Sequence, residues 1–170
     1  MDFNKIKAGK KLPEEVNVFV EIPQGKSIKY ELDKESGVLV VDRLLYTPMN
    51  CPFNYGFIPH THAEDGDPLD VVLITSLPIA AGVVVSSRPI GLLEMEDENG
   101  PDSKIVALPL KKVDPQLSHI DDVSDLNTLV KDRIKHFFES YKELEPNKWV
   151  KVKKFWGKDK ALKVIERSLL

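Results

Sequence analysis

Apolar and polar positions alternate through much of the first two-thirds of the chain. Residues 16–22, 28–33 and 38–43 are rich in β-branched side chains or alternate apolar with charged ones, and turns containing Gly, Pro or Ser follow the first two. Such segments are typical of β-strands, and we expect the second and third to form a hairpin with one solvated face. Three more strands are predicted at 71–75, 83–93 and 104–109.

The spacing of apolar residues changes to a helical period in the last third. Apolar side chains recur every three or four residues from Leu126 to Tyr141, which predicts a long helix with one apolar face and with Ser124 as its N-cap. Pro146 follows its end, and a shorter helix is predicted from about Lys158 to the C terminus. Many short strands followed by helices favour a mainly β fold with helices (α+β), in which a small barrel has helices packed on one side.

Composition is that of an ordinary globular protein. The 170 residues fit one domain, 1–170, and a net charge of -3 gives no overall attraction to nucleic acid or to an anionic membrane. Cys51 is the only cysteine, so an internal disulfide and a cysteine-based zinc site are both excluded, and a free thiol suits the cytoplasm. A signal peptide is not expected, because no apolar stretch follows the Lys-rich residues 1–11. A membrane span is not expected either, because Ser, Pro and Gly interrupt the most apolar run, 71–85.

Acidic residues gather in two loops, each next to a predicted strand. Residues 64–70 carry four carboxylates and no basic side chain, and residues 94–102 carry a second cluster. Two unit charges 4 Å apart repel by about 4 kcal/mol at an effective dielectric near 20, so converging carboxylates need counter-charge or open water. Mg²⁺ and Mn²⁺ prefer such oxygen ligands, whereas the simpler alternative is two solvated turns. An EF-hand is excluded, because the fifth and sixth positions counted from Asp65 are Leu69 and Asp70.

Side chains suited to phosphate lie on the strand segments and late in the long helix. Arg43 ends one strand, and a guanidinium matches phosphate oxygens bidentately. Lys29 and Glu31 share one face of their strand. Tyr55, Lys104, Tyr141 and Lys142 complete the set. Solvated strand charges and core tyrosines are the simpler interpretation of each residue alone, but together with the acidic loops the set indicates phosphoryl transfer.

Other chemistries fit the sequence less well. Cys51 lies near His60 and His62 along the chain, but a catalytic or zinc-binding group needs a spatial proximity that the sequence does not give. Trp149 and Trp156 stand among lysines as in a nucleic-acid-binding stripe, which the negative net charge and the acidic loops oppose. No P-loop or dinucleotide fingerprint occurs.

Residues 65–71, Asp-Gly-Asp-Pro-Leu-Asp-Val, resemble the D-x-D-P-x-D-V active-site motif of family I soluble inorganic pyrophosphatases. Further blocks resemble the family in the same order, at 21–23, 28–31, 41–43, 54–59, 97–104 and 136–142, and the short length resembles the prokaryotic branch. The resemblance implies a five-stranded OB-type closed barrel flanked by two α-helices. It also implies cytoplasmic hydrolysis of pyrophosphate to two orthophosphates, and a homohexamer as in bacterial members.

The same resemblance implies a role for each matching residue. Asp67 would be the general base that acts on a metal-activated water. The implied metal ligands are Glu31, Asp65, Asp70, Asp97 and Asp102, which would hold several Mg²⁺ ions, with Mn²⁺ or Zn²⁺ as substitutes. The implied phosphate ligands are Lys29, Arg43, Tyr55, Lys104, Tyr141 and Lys142. Glu21 and Glu98 would support the same acidic cavity.

Position 51 departs from the family pattern. The family usually has Tyr before the Pro of its Y-P-x-N-Y-G block, and this chain has Cys51. Loss of the phenol changes the pocket wall or the phosphate contacts, whereas every implied metal ligand is present. Two non-enzymatic alternatives stay open at this point: an OB-type barrel that only binds an anion or an oligonucleotide, and a metal-buffering or structural protein.

Overall fold

The computed structural model describes residues 5–63 and 66–170. Its strands are β1 (Gly9–Lys11), β2 (Glu15–Ile22), β3 (Ile28–Asp33), β4 (Val38–Leu44), β5 (Asn54–Phe57), β6 (Asp70–Leu73), β7 (Val84–Asp97), β8 (Gly100–Pro101), β9 (Lys104–Pro109) and β10 (Val150–Gly157). Its helices are α1 (Thr128–Ser140) and α2 (Lys158–Ser168), with 3₁₀ turns at Pro115–Leu117 and Val123–Asp125. Neither α1 nor α2 has the length and apolar character that crossing a membrane requires.

Five strands close on themselves. Hydrogen-bonded neighbours run in the order β2, β5, β6, β9 and β7, and β7 pairs with β2 again. The β6–β9 pairing is parallel and the other four are antiparallel. The 14-residue β7 is long enough to pair with β2, β9 and β10 along different parts of its length. This ring confirms the five-stranded closed barrel, and α1 and α2 flank it.

The strands β3 and β4 form a separate two-stranded sheet outside the ring. Their register places Lys29 opposite Arg43, as a hairpin of the two predicted strands requires. No ladder of hydrogen bonds joins this hairpin to the barrel in the described residues. Side-chain contacts therefore decide where its basic residues lie relative to the rest of the molecule.

Two apolar cores lie on opposite faces of β6 and β9. Val71 and Ile105 face the core that α2 covers, whereas Val72 and Val106 face the core that α1 covers. Side chains alternate with period two along a strand, so a strand buried on both faces must be apolar at every position. This requirement explains the unbroken apolar run that the sequence shows after Asp70.

The helix α1 begins later than the sequence pattern predicts. Its N-cap is Asn127, whose side chain accepts from the Leu129 N–H, so the prediction of Ser124 as the cap is wrong. A capping box formed by Asp122 and Asp125 closes a separate 3₁₀ turn around Ser124. The shorter helix α2 begins at Lys158 as predicted, and the described residues add β1, β5, β8 and β10 to the predicted strands.

Candidate active site

The predicted site residues meet where the hairpin β3–β4 faces the barrel. A cavity of about 530 Å³ opens there, and six predicted residues line it: Glu21, Lys29, Glu31, Tyr55, Asp67 and Asp70. A neighbouring cavity of about 460 Å³ shares Asp70 and adds Asp102. Asp70 therefore lies between the two spaces.

Lys104 is a buried cation held between two carboxylates. Its Nζ lies 2.6 Å from Oδ2 of Asp70 and also pairs with Asp102. The parallel register of β6 and β9 sets Val71 beside Ile105, so Asp70 and Lys104 are neighbours at the starts of their strands. Burial alone would lower the pKa of Lys104, but Asp70 and Asp102 raise it above its ordinary value. The ammonium therefore stays charged inside the site.

Lys29, Asp42 and Arg43 form a linked group at the base of the hairpin. The Lys29 Nζ lies 2.5 Å from Oε1 of Glu31 and 3.2 Å from Oδ2 of Asp42. The same Asp42 oxygen accepts a hydrogen bond from Nε of Arg43 at 2.8 Å. Asp42 thus joins two predicted phosphate ligands, a role that the sequence reasoning missed although Asp42 adjoins Arg43 in its block.

The end of α1 brings Tyr141 and Lys142 to the end of β7. The Lys142 Nζ lies 2.9 Å from Oδ2 of Asp97 and 3.7 Å from Oε1 of Glu98. Burial alone would raise the pKa of Glu98, but hydrogen bonds from Lys148 and from backbone N–H groups lower it to about 2. Glu98 is thereby an ion-pair partner of these lysines, and Tyr141 stacks on Phe137 with 5.1 Å between ring centroids.

Burial raises the pKa values of two phenols and of one carboxyl of the site. It raises the pKa of Tyr55 well above its usual value, with help from the charges of Asp70 and Asp102, and it also raises the pKa of Tyr141. Burial raises the pKa of Glu21 to about 7, although a hydrogen bond from the Leu32 N–H opposes the shift. Tyr55 and Tyr141 can therefore donate hydrogen bonds at neutral pH.

Asp67 lies at the mouth of the larger cavity. Its side chain is 77% exposed and lies 3.5 Å from Nζ of Lys34. Its backbone carbonyl accepts from the Ala63 N–H at 2.7 Å, so a turn positions the residue just before β6. The predicted ligand Asp65 lies outside the described residues.

Lysines occupy the spaces between the carboxylates. Within residues 5–63 and 66–170, no three His, Cys, Asp or Glu side chains surround a common point. Lys104 lies between Asp70 and Asp102 instead, and Lys142 pairs with Asp97. Burial raises the pKa of Asp102, whereas the charge of Lys104 lowers it. The charges of Asp70 and Asp97 raise it further, so these three carboxylates are close enough to repel one another. Mg²⁺ binds to carboxylate oxygens, and Asp70, Asp97 and Asp102 provide such oxygens near one another. The donor chemistry of these residues therefore fits such an ion.

Comparison with known proteins decides the family. A sequence profile described as "Inorganic pyrophosphatase" matches residues 18–170. The chain belongs to the inorganic pyrophosphatase family. Within that family it is 53% identical to the protein of Aquifex pyrophilus over 169 residues, which is 99% of this chain and 96% of the relative. It is 59% identical to that of Sulfolobus acidocaldarius over 153 residues, which is 90% of this chain and 88% of the relative.

Solved structures of inorganic pyrophosphatases share the fold. The structure from Helicobacter pylori matches with a TM-score of 0.94 at 50% identity, over 97% of this chain and 96% of that one. The structure from Thermus thermophilus matches with a TM-score of 0.95 at 42% identity, over 99% and 97% of the two chains. The pyrophosphatase family therefore accounts for the barrel, both helices and the segments that carry the site.

Proposed function

We propose that this chain hydrolyses inorganic pyrophosphate to two orthophosphates, with Asp67 as the general base. The observation that carries the proposal is one cavity in which acidic oxygens and phosphate-type donors meet, lined by Asp67 and Asp70 together with Lys29 and Tyr55. Membership of the inorganic pyrophosphatase family supports the same reaction. The relatives carry the name of an enzyme, so nothing favours a barrel that only binds an anion or an oligonucleotide.

The acidic side chains would hold divalent cations. Glu31, Asp70, Asp97 and Asp102 are the proposed ligands in the described residues, with Asp65 as a further ligand outside them. Mg²⁺ is the proposed ion, with Mn²⁺ or Zn²⁺ as substitutes, because carboxylate oxygens suit hard cations. When bound, such ions lower the pKa of a water molecule and neutralise charge on phosphate oxygens.

Basic and phenolic side chains would bind the two phosphates. Lys29 and Arg43 approach from the hairpin, Tyr141 and Lys142 from the end of α1, and Tyr55 and Lys104 from the barrel. Charge-assisted hydrogen bonds from these groups stabilise the negative charge that develops on the leaving phosphate. Tyr55 and Tyr141 are phenols that donate at neutral pH, and burial raises the pKa of each further.

Asp67 would accept the proton of the attacking water. The water oxygen bonds to one phosphorus, its proton passes to the Asp67 carboxylate, and the bond from that phosphorus to the bridging oxygen breaks. The bridging oxygen leaves with the second phosphate, so no covalent enzyme intermediate forms. The exposure of Asp67 at the cavity mouth supports this role, because solvent can carry the proton away.

Hydrolysis of pyrophosphate by an Asp67→Asn variant tests the base role. Loss of a general base lowers kcat by about 10²- to 10⁴-fold, whereas an isosteric amide changes KM far less. The measurement is phosphate release by metal-stripped protein with and without added Mg²⁺. Asp33→Asn is the matched control, because it removes another carboxylate from the wall of the same cavity and should retain activity. Equal losses in kcat and in apparent affinity would contradict the role of Asp67, and no release by the folded wild type with any divalent cation would contradict the reaction.

Two further proposals rest on the resemblance. We expect the chain to form a homohexamer and to act in the cytoplasm. His119 and His136 are candidate interface residues from the sequence, and several exposed apolar side chains on β4 support self-association: Val38, Val40, Val41 and Leu44.

A further inference from the structure

Glu145 is a buried carboxylate in the turn that follows α1. Its side chain is only 7% exposed, and its Oε2 accepts a hydrogen bond from Nη1 of Arg43 at 2.6 Å. Its Oε1 has no hydrogen-bond partner among the described residues. Within that part of the chain, Arg43 is therefore the cation that balances the charge of the Glu145 carboxylate. Burial of an ion pair contributes little to stability by itself, which favours a role in orientation.

Arg43 is held at two corners of its guanidinium. Asp42 accepts from Nε and Glu145 accepts from Nη1. A guanidinium is planar and carries five N–H donors, so two fixed corners set its plane and leave the Nη2 donors for a phosphate. Asp42 adjoins Arg43 on the same strand and cannot fix that strand against the rest of the molecule. Among the described residues, Glu145 is the ion-pair partner that joins Arg43 to a distant segment, 102 positions along the chain.

The segment that carries Glu145 also carries two proposed phosphate ligands. The Tyr141 N–H donates to the Phe137 carbonyl at 2.8 Å, and the Glu145 N–H donates to the Lys142 carbonyl at 2.8 Å. Tyr141, Lys142 and Glu145 therefore belong to one hydrogen-bonded run. The hairpin with Arg43 is a separate sheet, and Leu45 just after β4 packs against the same apolar core as Tyr141. The Glu145 contact is the hydrogen bond that ties the Arg43 side chain itself to that run.

We propose that Glu145 is a positioning residue that holds the Arg43 guanidinium against the turn bearing Tyr141 and Lys142, so that the three groups contact the same phosphate. This role rests on the proposed function, because it takes Arg43 to be a phosphate ligand. Glu145 itself is buried, so in this proposal it acts through Arg43 and not on the phosphate directly. A positioning group displaced by about 1 Å can cost about 10²-fold in rate, so we expect Glu145→Ala to lower kcat/KM by about 10- to 100-fold.

A double-mutant cycle with Arg43→Ala tests this inference. If Glu145 acts through Arg43, Glu145→Ala costs nothing further in kcat/KM once Arg43 is Ala. The same non-additivity should appear in the Kd for inorganic phosphate, which requires no turnover. Glu145→Gln keeps the side-chain volume and an acceptor, so it provides a folded variant; its expected loss is at least about threefold, again abolished by Arg43→Ala. If the loss from Glu145→Ala or from Glu145→Gln adds to that from Arg43→Ala, the proposal is overturned.

A matched control separates positioning from stability. Asp114 is as buried as Glu145, at 8% exposure, and its carboxylate accepts from the Ser76 N–H and hydroxyl away from the site. Asp114→Ala should lower Tm yet leave kcat/KM within about twofold of wild type, as for a change outside the site. If the wild type hydrolyses pyrophosphate but the losses from Glu145→Ala and Arg43→Ala add up, the positioning role is rejected and the proposed reaction stands. If the wild type does not hydrolyse pyrophosphate but Glu145→Ala costs no further phosphate affinity once Arg43 is Ala, the proposed reaction is rejected and the positioning role stands.

Discussion

Lys104 determines the charge of the site from its centre. It is 4% exposed, and Asp70 and Asp102 both contact its ammonium. A buried cation requires such partners, because removing one member of a buried pair leaves an uncompensated charge that costs about 3–5 kcal/mol. The positive charge in turn offsets the mutual repulsion of Asp70 and Asp102. Lys104 thereby supplies buried counter-charge to two carboxylates of the site.

Position 51 shows how a small residue replaces the usual tyrosine of the family. The thiol of Cys51 is buried beside a cavity of about 40 Å³ that Lys29, Tyr55 and Tyr141 also line. Its backbone is held on both sides, because its N–H donates to Lys26 and its carbonyl accepts from Gly25. Cys51 thus forms part of the wall behind the proposed phosphate ligands Lys29, Tyr55 and Tyr141.

Cys51 should be unreactive in the folded protein. Burial raises the pKa of its thiol to about 12, so few thiolates exist at pH 8. We expect a thiol-specific disulfide reagent to label folded protein roughly 100-fold more slowly than guanidinium-unfolded protein. Because the unfolded thiol has a pKa near 9.0, this group lowers the free energy of unfolding as pH rises from about 9 to 12. Cys51→Ala is the negative control, because it removes the only thiol of the sequence. Rapid stoichiometric labelling of the folded wild type would contradict the prediction.

Strands β2 and β5 approach each other too closely for a side chain at Gly56. A Cβ on Gly56 would lie 1.9 Å from the carbonyl oxygen of Phe19 and 3.0 Å from Cα of Val20. Both neighbours are backbone atoms of the paired strand, so neither can turn aside as a flexible side chain would. Gly56 also separates Tyr55 from Phe57 in β5, and the centroid of the Tyr55 ring lies 5.8 Å from Nζ of Lys104.

Gly56→Ala should therefore destabilise the barrel and disturb the site together. Overpacking costs about 1–3 kcal/mol or more, and the clash here is with backbone, so we expect a loss of at least about 3 kcal/mol in the free energy of unfolding. Gly25→Ala is the control: its Cβ would meet no atom within 4 Å, and its φ of 81° costs about 1–2 kcal/mol of backbone strain. Urea denaturation of both variants provides the comparison. A smaller loss for Gly56→Ala than for Gly25→Ala would show that β2 and β5 can separate.

The whole molecule places a closed barrel beside a hairpin that no backbone ladder joins to it in the described residues, although the Leu32 N–H donates to Glu21 of the barrel. The barrel supplies Asp70, Tyr55 and Lys104 on rigid paired strands, whereas the hairpin supplies Lys29 and Arg43. Closing the barrel removes its free edges, but β4 remains an edge strand with exposed apolar side chains. An exposed apolar edge favours burial against another chain.

Association into a hexamer is the prediction at this scale. The hexamer is what the resemblance in the sequence implies, and closed symmetry is the usual form of soluble homo-oligomers. We expect sedimentation equilibrium at micromolar concentration to yield a mass near six times the 19.2 kDa of one chain. A mass of one chain under those conditions would contradict the hexamer without affecting the proposed reaction.

The sequence predicted the strands with an unbroken pattern better than the strands that a glycine or a bulge interrupts. The strands at 28–33 and 104–109 were predicted with their observed ends, because their patterns are unbroken. β5 was missed because it is four residues long and contains Gly56, and β10 because a bulge between Val152 and Lys154 shifts its alternation. The OB type of the barrel and the single domain stay predictions.

The sequence by itself determined the periods of the main elements, the closely spaced acids and the family resemblance, because each depends on residues near one another along the chain. Only the tertiary structure decided which cation meets which carboxylate. Lys104 reaches Asp70 across 34 positions, Lys142 reaches Asp97 across 45, and Arg43 reaches Glu145 across 102. Such pairs depend on strand register, on barrel closure and on the turn after α1, and no local pattern encodes them.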